Sequence, residues 1–374
     1  MDAQKITEYI DSLQTRGIPF ADCQIMKEHE VVYRHFTGKT DKDKTVPMNG
    51  TERYLMFSMT KVQTMTAFMQ LVEQGRLSYE DEVFRFLPAY RNLTVEQNGK
   101  IVPLSEPLKL WHLVSMQSGL DYDLGRAGIV RVLKEKGDAA TTQEIVASFA
   151  ETPLKFVPGE NFLYSLSHDV VAAVIEKVSG MRFGEYLKKN IWDVLGMENT
   201  GFAKPMNEGT PRLCTQYICG EGGKIVPMEA SCNYQFTSGY ESGGAGLMSC
   251  MKDYAVLADA LACGGVGKDG GRILKPESVE RFKKNLLGET SLAFLASSMG
   301  RPAYGYGTGM QILLFPEKVG SVAPVGIFGW DGAAGSCVFM DTKEKLSMVY
   351  LMHVRNCGFA YSEIHPTLRD LLYS

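Results

Sequence analysis

After Ser58 the apolar residues Val62, Met65, Met69 and Val72 recur at helical spacing. This marks one buried face of an α-helix, and Gly75 supplies its stop. Upstream, "ADCQIMKEHEVVYRHFTG" reads as two short strands around a turn. From about residue 80 the texture turns helical and loop-rich, through "LKLWHLVSMQSGL", "TTQEIVASFAETP", "HDVVAAVIEKVSG" and "FGEYLKKNIWDVLG". From about residue 305 it changes again: "YGYGTGMQILLF", "PVGIFGWDGAAGSCVFMD" and "KLSMVYLMHV" read as three successive strands, and "IHPTLRDLLY" as a closing helix.

Strands that follow one another across short turns predict an antiparallel sheet, because a parallel pair needs a crossover of about a dozen residues or more. The N-terminal strands are expected to join that sheet, which makes the middle of the chain an insertion. The expected fold class is α+β, an antiparallel sheet flanked by helices. It comprises one unit from residues 1–80 and 245–374 and a mainly helical unit over residues 81–244.

A chain of 374 residues, 45% hydrophobic and 22% charged, can bury one large core or two adjoining ones, which excludes disordered and fibrous classes. The net charge of −4 without a basic tract offers nothing to nucleic acid or an anionic membrane, so a small molecule or peptide is the expected partner. No apolar run approaches the roughly 20 residues of a membrane span, and "MDAQKITEYIDSLQ" has no charged segment leading into an apolar one. A cytoplasmic location is the expectation, with a secreted form lacking its leader as the alternative. The eight cysteines form no Cys-x-x-Cys pair and read as buried free thiols, and neither they nor the histidines show metal-ligand spacing. No metal or organic cofactor is implied, and the oligomeric state is not legible.

The chemistry gathers at Ser58. At or near a helix N-terminus, free amide N–H groups and the helix dipole favour negative charge on an oxyanion. Lys61, at i+3, projects beside Ser58; if desolvated, its amine becomes neutral and can take the serine proton. Alone, Ser-x-x-Lys is also what an N-cap serine and a solvated lysine give, and the spacing recurs at Ser249 and Lys252. No Gly-x-Ser-x-Gly elbow offers another nucleophile.

In order and spacing, "MFSMTKVQT", "NFLYSLSHDVVAAVIEKVSG", "ESGGAGLMSCMKDY" and "IFGWDGAAGS" resemble the serine beta-lactamase-like superfamily, in the branch of class C enzymes, D-alanyl-D-alanine peptidases and related esterases and acyltransferases. The resemblance implies Ser58 as nucleophile, Lys61 as its partner and Tyr164 as the tyrosine of the second motif. It also implies an oxyanion hole from the amides of Ser58 and Ala333, and it makes Ser249 a non-catalytic residue at a helix cap. Whether Lys61 or Tyr164 takes the first proton stays open at this level.

Two departures shape the expected function. Leu166 stands where the superfamily usually carries an asparagine, whose donor and acceptor an apolar side chain cannot replace. Trp330-Asp331-Gly332 stands where Lys-Thr-Gly or His-x-Gly is usual, so a flat apolar wall with one N–H replaces a cation. Both resemble family VIII carboxylesterases and acyltransferases of the lovastatin type. Leu166, Trp330 and Gly332 are therefore expected to bind substrate, Gly332 by admitting it close to the strand. Arg355 is weighed as a substitute cation and read as a solvated surface residue. The expected enzyme is a serine hydrolase, a carboxylesterase on small uncharged esters working through an acyl-enzyme. The alternatives are a beta-lactamase or D-amino acid peptidase, an acyltransferase, and a silent binding module.

Overall fold

The computed structural model describes residues 1–202 and 213–374. Helix α1 (Ala3–Thr15), to which the apolar pattern assigned nothing, opens the chain with Asp2 accepting from the Lys5 main-chain N–H and buries Ile6, Ile10 and Leu13. Strands β1 (Phe20–Lys27) and β2 (Glu30–Gly38) form the expected hairpin. Its two turn residues, Glu28 and His29, have φ of 49° and 70°, the left-handed pair that suits the twist of a two-residue turn.

Strand β3 (Arg53–Leu55) leads into helix α2 (Thr60–Glu73). The inserted region contains several helices, of which α3 (Ser167–Ser179) positions the site. Strand β4 (Met248–Cys250) pairs antiparallel with β3 and runs into helix α4 (Met251–Ala262). The C-terminal part supplies β5 (Tyr304–Tyr306), β6 (Gln311–Leu313), β7 (Phe328–Asp331), β8 (Cys337–Asp341) and β9 (Leu346–Leu351), then helix α5 (His365–Leu372).

The main sheet has seven strands in the order β2-β1-β9-β8-β7-β6-β5, and every neighbouring pair is antiparallel. Strand β1 lies beside β9, with Asp22 opposite Leu351, so the two ends of the chain share one sheet. The three C-terminal stretches read as single strands make five. Glycines divide two of them: Gly309, at φ +72°, turns β5 into β6. In the other, Gly332 N–H donates to Ser336 O and Gly335 N–H to Gly332 O, closing the turn between β7 and β8.

Helix α2 differs from the one-faced helix that the apolar spacing predicts. It is buried on all sides from residue 60 to 71, and most of its polar side-chain atoms find partners inside, Gln63 Nε2 and Gln70 Oε1 excepted. Thr64 donates to Gly243 O at 2.6 Å, Gln63 accepts the Trp192 indole N–H at 2.6 Å, and Gln70 donates to the carbonyls of Asn190 and Ile273. A buried polar group costs little when it is so paired. Among the described residues no helix is long and apolar enough to cross a membrane.

The turn at Gly309 presses on α2 and α3: an added Cβ would stand 2.1 Å from Met65 Cγ and 2.8 Å from His168 Cε1. Gly309→Ala combines this overlap with a left-handed backbone, and it should destabilise the fold by about 2 kcal/mol or more. Thermal unfolding measures the loss, and an unchanged midpoint would mean the turn moves freely off the helices.

Candidate active site

Ser58 lies in a single 3-10 turn (Phe57–Met59) between β3 and α2 rather than in α2 itself. The turn is anchored by β3 on β4 and by Met56 N–H donating to Leu247 O at 2.8 Å. Phe57 holds φ at 47°, a region unfavourable for a bulky side chain and kept only where the surroundings enforce it. Here they do: the ring is buried, meets Tyr234 edge-on at 6.3 Å and carries the Arg355 guanidinium 5.4 Å from its centroid. Arg355 thus flanks the Ser58 turn, half-buried, with its guanidinium donating to Asn233.

Lys61 begins the first full turn of α2 and is 0% exposed. Its Nζ lies 3.1 Å from Ser58 Oγ, 2.8 Å from Tyr122 Oη and 2.7 Å from the Gly244 carbonyl oxygen. A neutral amine has two N–H groups and one lone pair. Gly244 O and Tyr122 Oη accept the two hydrogens, leaving the lone pair for the Ser58 hydroxyl. Burial lowers the Lys61 pKa to about 7, against the opposing pull of the Asp169 and Asp331 carboxylates.

The glycines of "SGGAGL" make this approach possible. A Cβ on Gly244 would stand 2.5 Å from Asp169 Oδ2, and one on Gly243 2.6 Å from Ala172 Cβ. Asp169, in the first turn of α3, accepts the Tyr240 and Ser242 hydroxyls through Oδ1 at 2.7 and 2.6 Å. Burial raises its pKa, and those hydroxyls and Lys61 oppose the rise.

Tyr164 faces Lys61 from the segment before α3, its ring centroid 4.7 Å from Nζ, within the range of a cation–π contact. Burial raises its phenol pKa, and the neighbouring Ser58 hydroxyl is the largest opposing influence. Trp330, on β7, is 1% exposed, and its single N–H donates to Tyr164 Oη at 2.9 Å. Its ring packs between Tyr164, at 5.3 Å, and the Arg301 guanidinium, at 4.7 Å. Arg301 is in turn paired with Asp331 and Gln311. The indole expected to face substrate is thus committed to holding the tyrosine.

Leu166 is the N-cap residue of α3 and is buried in the main apolar core at 1% exposure. A Cβ on Gly332 would stand 2.5 Å from Met56 O, so this glycine lets the end of β7 close on the Ser58 turn. Ala333 follows it in a small apolar cluster with Leu55 and Phe57. Among the described residues the Ser58 and Ala333 main-chain N–H groups have no main-chain acceptor, as groups that serve an oxyanion would require. The second Ser-x-x-Lys does not come together: Ser249 is on β4 with its Oγ 2.7 Å from Thr200 Oγ1, while Lys252 is exposed on α4. His168 is buried at the start of α3, and burial holds it below its usual pKa.

Tyr122, Asp169 and Gly244 were not singled out from the sequence. Tyr122 lies two residues past "LVSMQSGL", Asp169 looks like an acid favouring a helix N-terminus, and "SGGAGL" reads as a turn. Their only sequence signal is place: Asp169 and Gly244 lie inside segments already marked, and Tyr122 close to one.

The beta-lactamase family model matches residues 3–360 of the chain. Esterase EstB of Burkholderia gladioli is 25% identical over 399 residues, covering 100% of this chain and 97% of its own. Among solved structures, EstCE1, a hydrolase with promiscuous acyltransferase activity, superposes with a TM-score of 0.80 at 23% identity, covering 100% of this chain and 97% of its own. Simvastatin synthase of Aspergillus terreus gives 0.82 at 19%, covering 100% and 98%. These two solved structures share the fold.

Because Asp169 raises the Lys61 pKa, Asp169→Asn should lower it, and an acid limb set by Lys61, expected near pH 7 in the wild type, should move to lower pH. Steady-state kcat/KM against pH reads the shift; a limb that stays in place would detach it from Lys61.

Proposed function

The chain belongs to the beta-lactamase family and is a serine hydrolase, and from that premise we propose that it is a carboxylesterase acting on small uncharged esters through an acyl-enzyme on Ser58. The observation that carries the reading is Lys61, buried, with its two N–H acceptors supplied and its free position 3.1 Å from Ser58 Oγ. A preference for uncharged esters rests on Leu166 and Trp330, where an amide and a cation would otherwise engage a lactam or peptide carboxylate.

In this reading Lys61 takes the first proton. Its pKa near 7 leaves much of the amine neutral at physiological pH, whereas the Tyr164 phenol is held protonated by burial. Ser58 Oγ attacks the ester carbonyl as its proton passes to Lys61 Nζ, and the amides of Ser58 and Ala333 receive the developing oxyanion. The intermediate collapses by breaking the bond to the alkoxide. Tyr164 protonates that alkoxide and recovers a proton from the Lys61 ammonium. Water then attacks the acyl-enzyme, giving its proton to the same Lys61–Tyr164 pair, which returns it to Ser58 as the acid leaves. An alcohol in place of water would complete the transfer chemistry named for EstCE1 with no change of residues.

A fluorophosphonate probe should label Ser58 and not Ser249 by peptide mass spectrometry. Short p-nitrophenyl esters should turn over well and a chromogenic cephalosporin poorly, with Ser58→Ala inactive on both. Labelling at Ser249, or a kcat/KM ratio favouring the cephalosporin, would overturn the assignment.

Tyr164→Phe removes only the hydroxyl that protonates the leaving group and accepts the Trp330 N–H. It should lower kcat by about 10²- to 10⁴-fold while the thermal midpoint moves little. Near-full turnover would reduce Tyr164 to a packing residue.

A further inference from the structure

Far from Ser58, three side chains of metal-binding type meet. His29 occupies the turn between β1 and β2, and Asp259 and Cys263 stand four apart on one face of the C-terminal end of α4. One ligand atom from each, the His29 ring nitrogen, an Asp259 carboxylate oxygen and the Cys263 sulfur, all lie within 4.8 Å of one another. His29 Nδ1 is 2.7 Å from Asp259 Oδ2, and Cys263 Sγ is 3.7 Å from Asp259 Oδ1. Tyr254, nearer the other end of α4, donates to Met59 O at 2.7 Å. From Tyr254 the helix axis runs five residues, roughly 7 Å, to Asp259 and nine, roughly 13 Å, to Cys263.

We propose that His29, Asp259 and Cys263 form a binding site for one thiophilic divalent cation, zinc foremost, closed by water as a fourth ligand. Four features of the geometry favour it. One nitrogen, one carboxylate oxygen and one sulfur are the donor types zinc combines in tetrahedral sites, and hard cations such as calcium or magnesium would reject the sulfur. Ligand pairs around such an ion stand about 3.3 to 3.8 Å apart, given metal–ligand bonds of about 2.0 to 2.3 Å, so small side-chain movements suffice. Asp259 is already fixed, with its Oδ1 accepting the His29 main-chain N–H at 3.1 Å. Its side chain is 3% exposed and that of His29 26%, which gives a rigid base and an open approach.

Charge balance agrees. A thiolate, a carboxylate and a neutral imidazole neutralise a dication, and the two lysines whose charges reach the group are already paired, Lys268 with Glu30 and Lys345 with Glu28. The Cys263 thiol must lose its proton to become a ligand. Binding therefore replaces the thiol proton with the metal and releases that proton to solvent, so affinity increases with pH.

The test titrates cobalt(II), then zinc(II), into the full-length protein after chelator dialysis. The expected result is one equivalent bound per chain, a thiolate-to-cobalt charge-transfer band that zinc abolishes, release of about one proton per ion, and a higher thermal midpoint with zinc. Cys263→Ser should lose the band, and His29→Gln should keep it while weakening binding on the order of 100-fold. Far-UV circular dichroism and the metal-free thermal midpoint check that both variants fold. Absence of stoichiometric binding to the wild type, or a band that persists in Cys263→Ser, would overturn the site and leave Asp259 as a hydrogen-bonding cap of the β1–β2 turn.

Discussion

Burial of one lysine amine is the constraint on which the rest of the site depends. Lowering the Lys61 pKa from 10.5 to about 7 disfavours its ammonium by about 5 kcal/mol relative to water. Such a cost is borne only if the neutral amine is satisfied where it stands. Gly244 O and Tyr122 Oη do this, and they reach Nζ because neither Gly243 nor Gly244 has a side chain to hold α2 and α3 away. Asp169 keeps the depression within bounds, so that the amine titrates near neutrality instead of losing its proton for good.

The Ser58 turn depends on two further contacts that come from distant parts of the chain. Gly332, at the end of β7, closes on Met56 O with no room for a methyl group, which sets the Ala333 amide beside the turn that presents Ser58. On the other side, the Trp330 indole N–H fixes the Tyr164 hydroxyl, and the Arg301–Asp331 pair stands behind the tryptophan. The sheet therefore acts as a gauge. Strand β7 sets the separation between the Ala333 amide beside the Ser58 turn and the Tyr164 hydroxyl held by Trp330. The left-handed Phe57 is strained but locked by Tyr234 and Arg355, which is how a stable fold retains an unfavourable backbone next to Ser58.

Helix α4 links this centre to the rim of the sheet. Its Tyr254 hydroxyl holds the Met59 carbonyl next to Ser58, and its far end carries Asp259 and Cys263 against the first hairpin. The helix thus ties β1–β2, β9 and the Ser58 turn into one packed body.

The sequence by itself determined what depends on local order. The β1–β2 hairpin, the helix after Ser58, the Ser58–Lys61 pair at i+3 and the antiparallel C-terminal strands all follow from spacing, and Tyr164 and Trp330 from motif resemblance. Only the tertiary structure decided the rest. It placed Trp330 on Tyr164 and not in open space, buried the polar face of α2, separated Ser249 from Lys252, and drew Tyr122, Asp169 and Gly244 around Lys61. It also set His29 against Asp259, 230 positions apart. The physical reason is range: helix and strand periodicity report contacts a few residues apart. The pKa of a buried amine, or the meeting of three ligands, is set by groups that become neighbours only when the sheet closes the chain's two ends together.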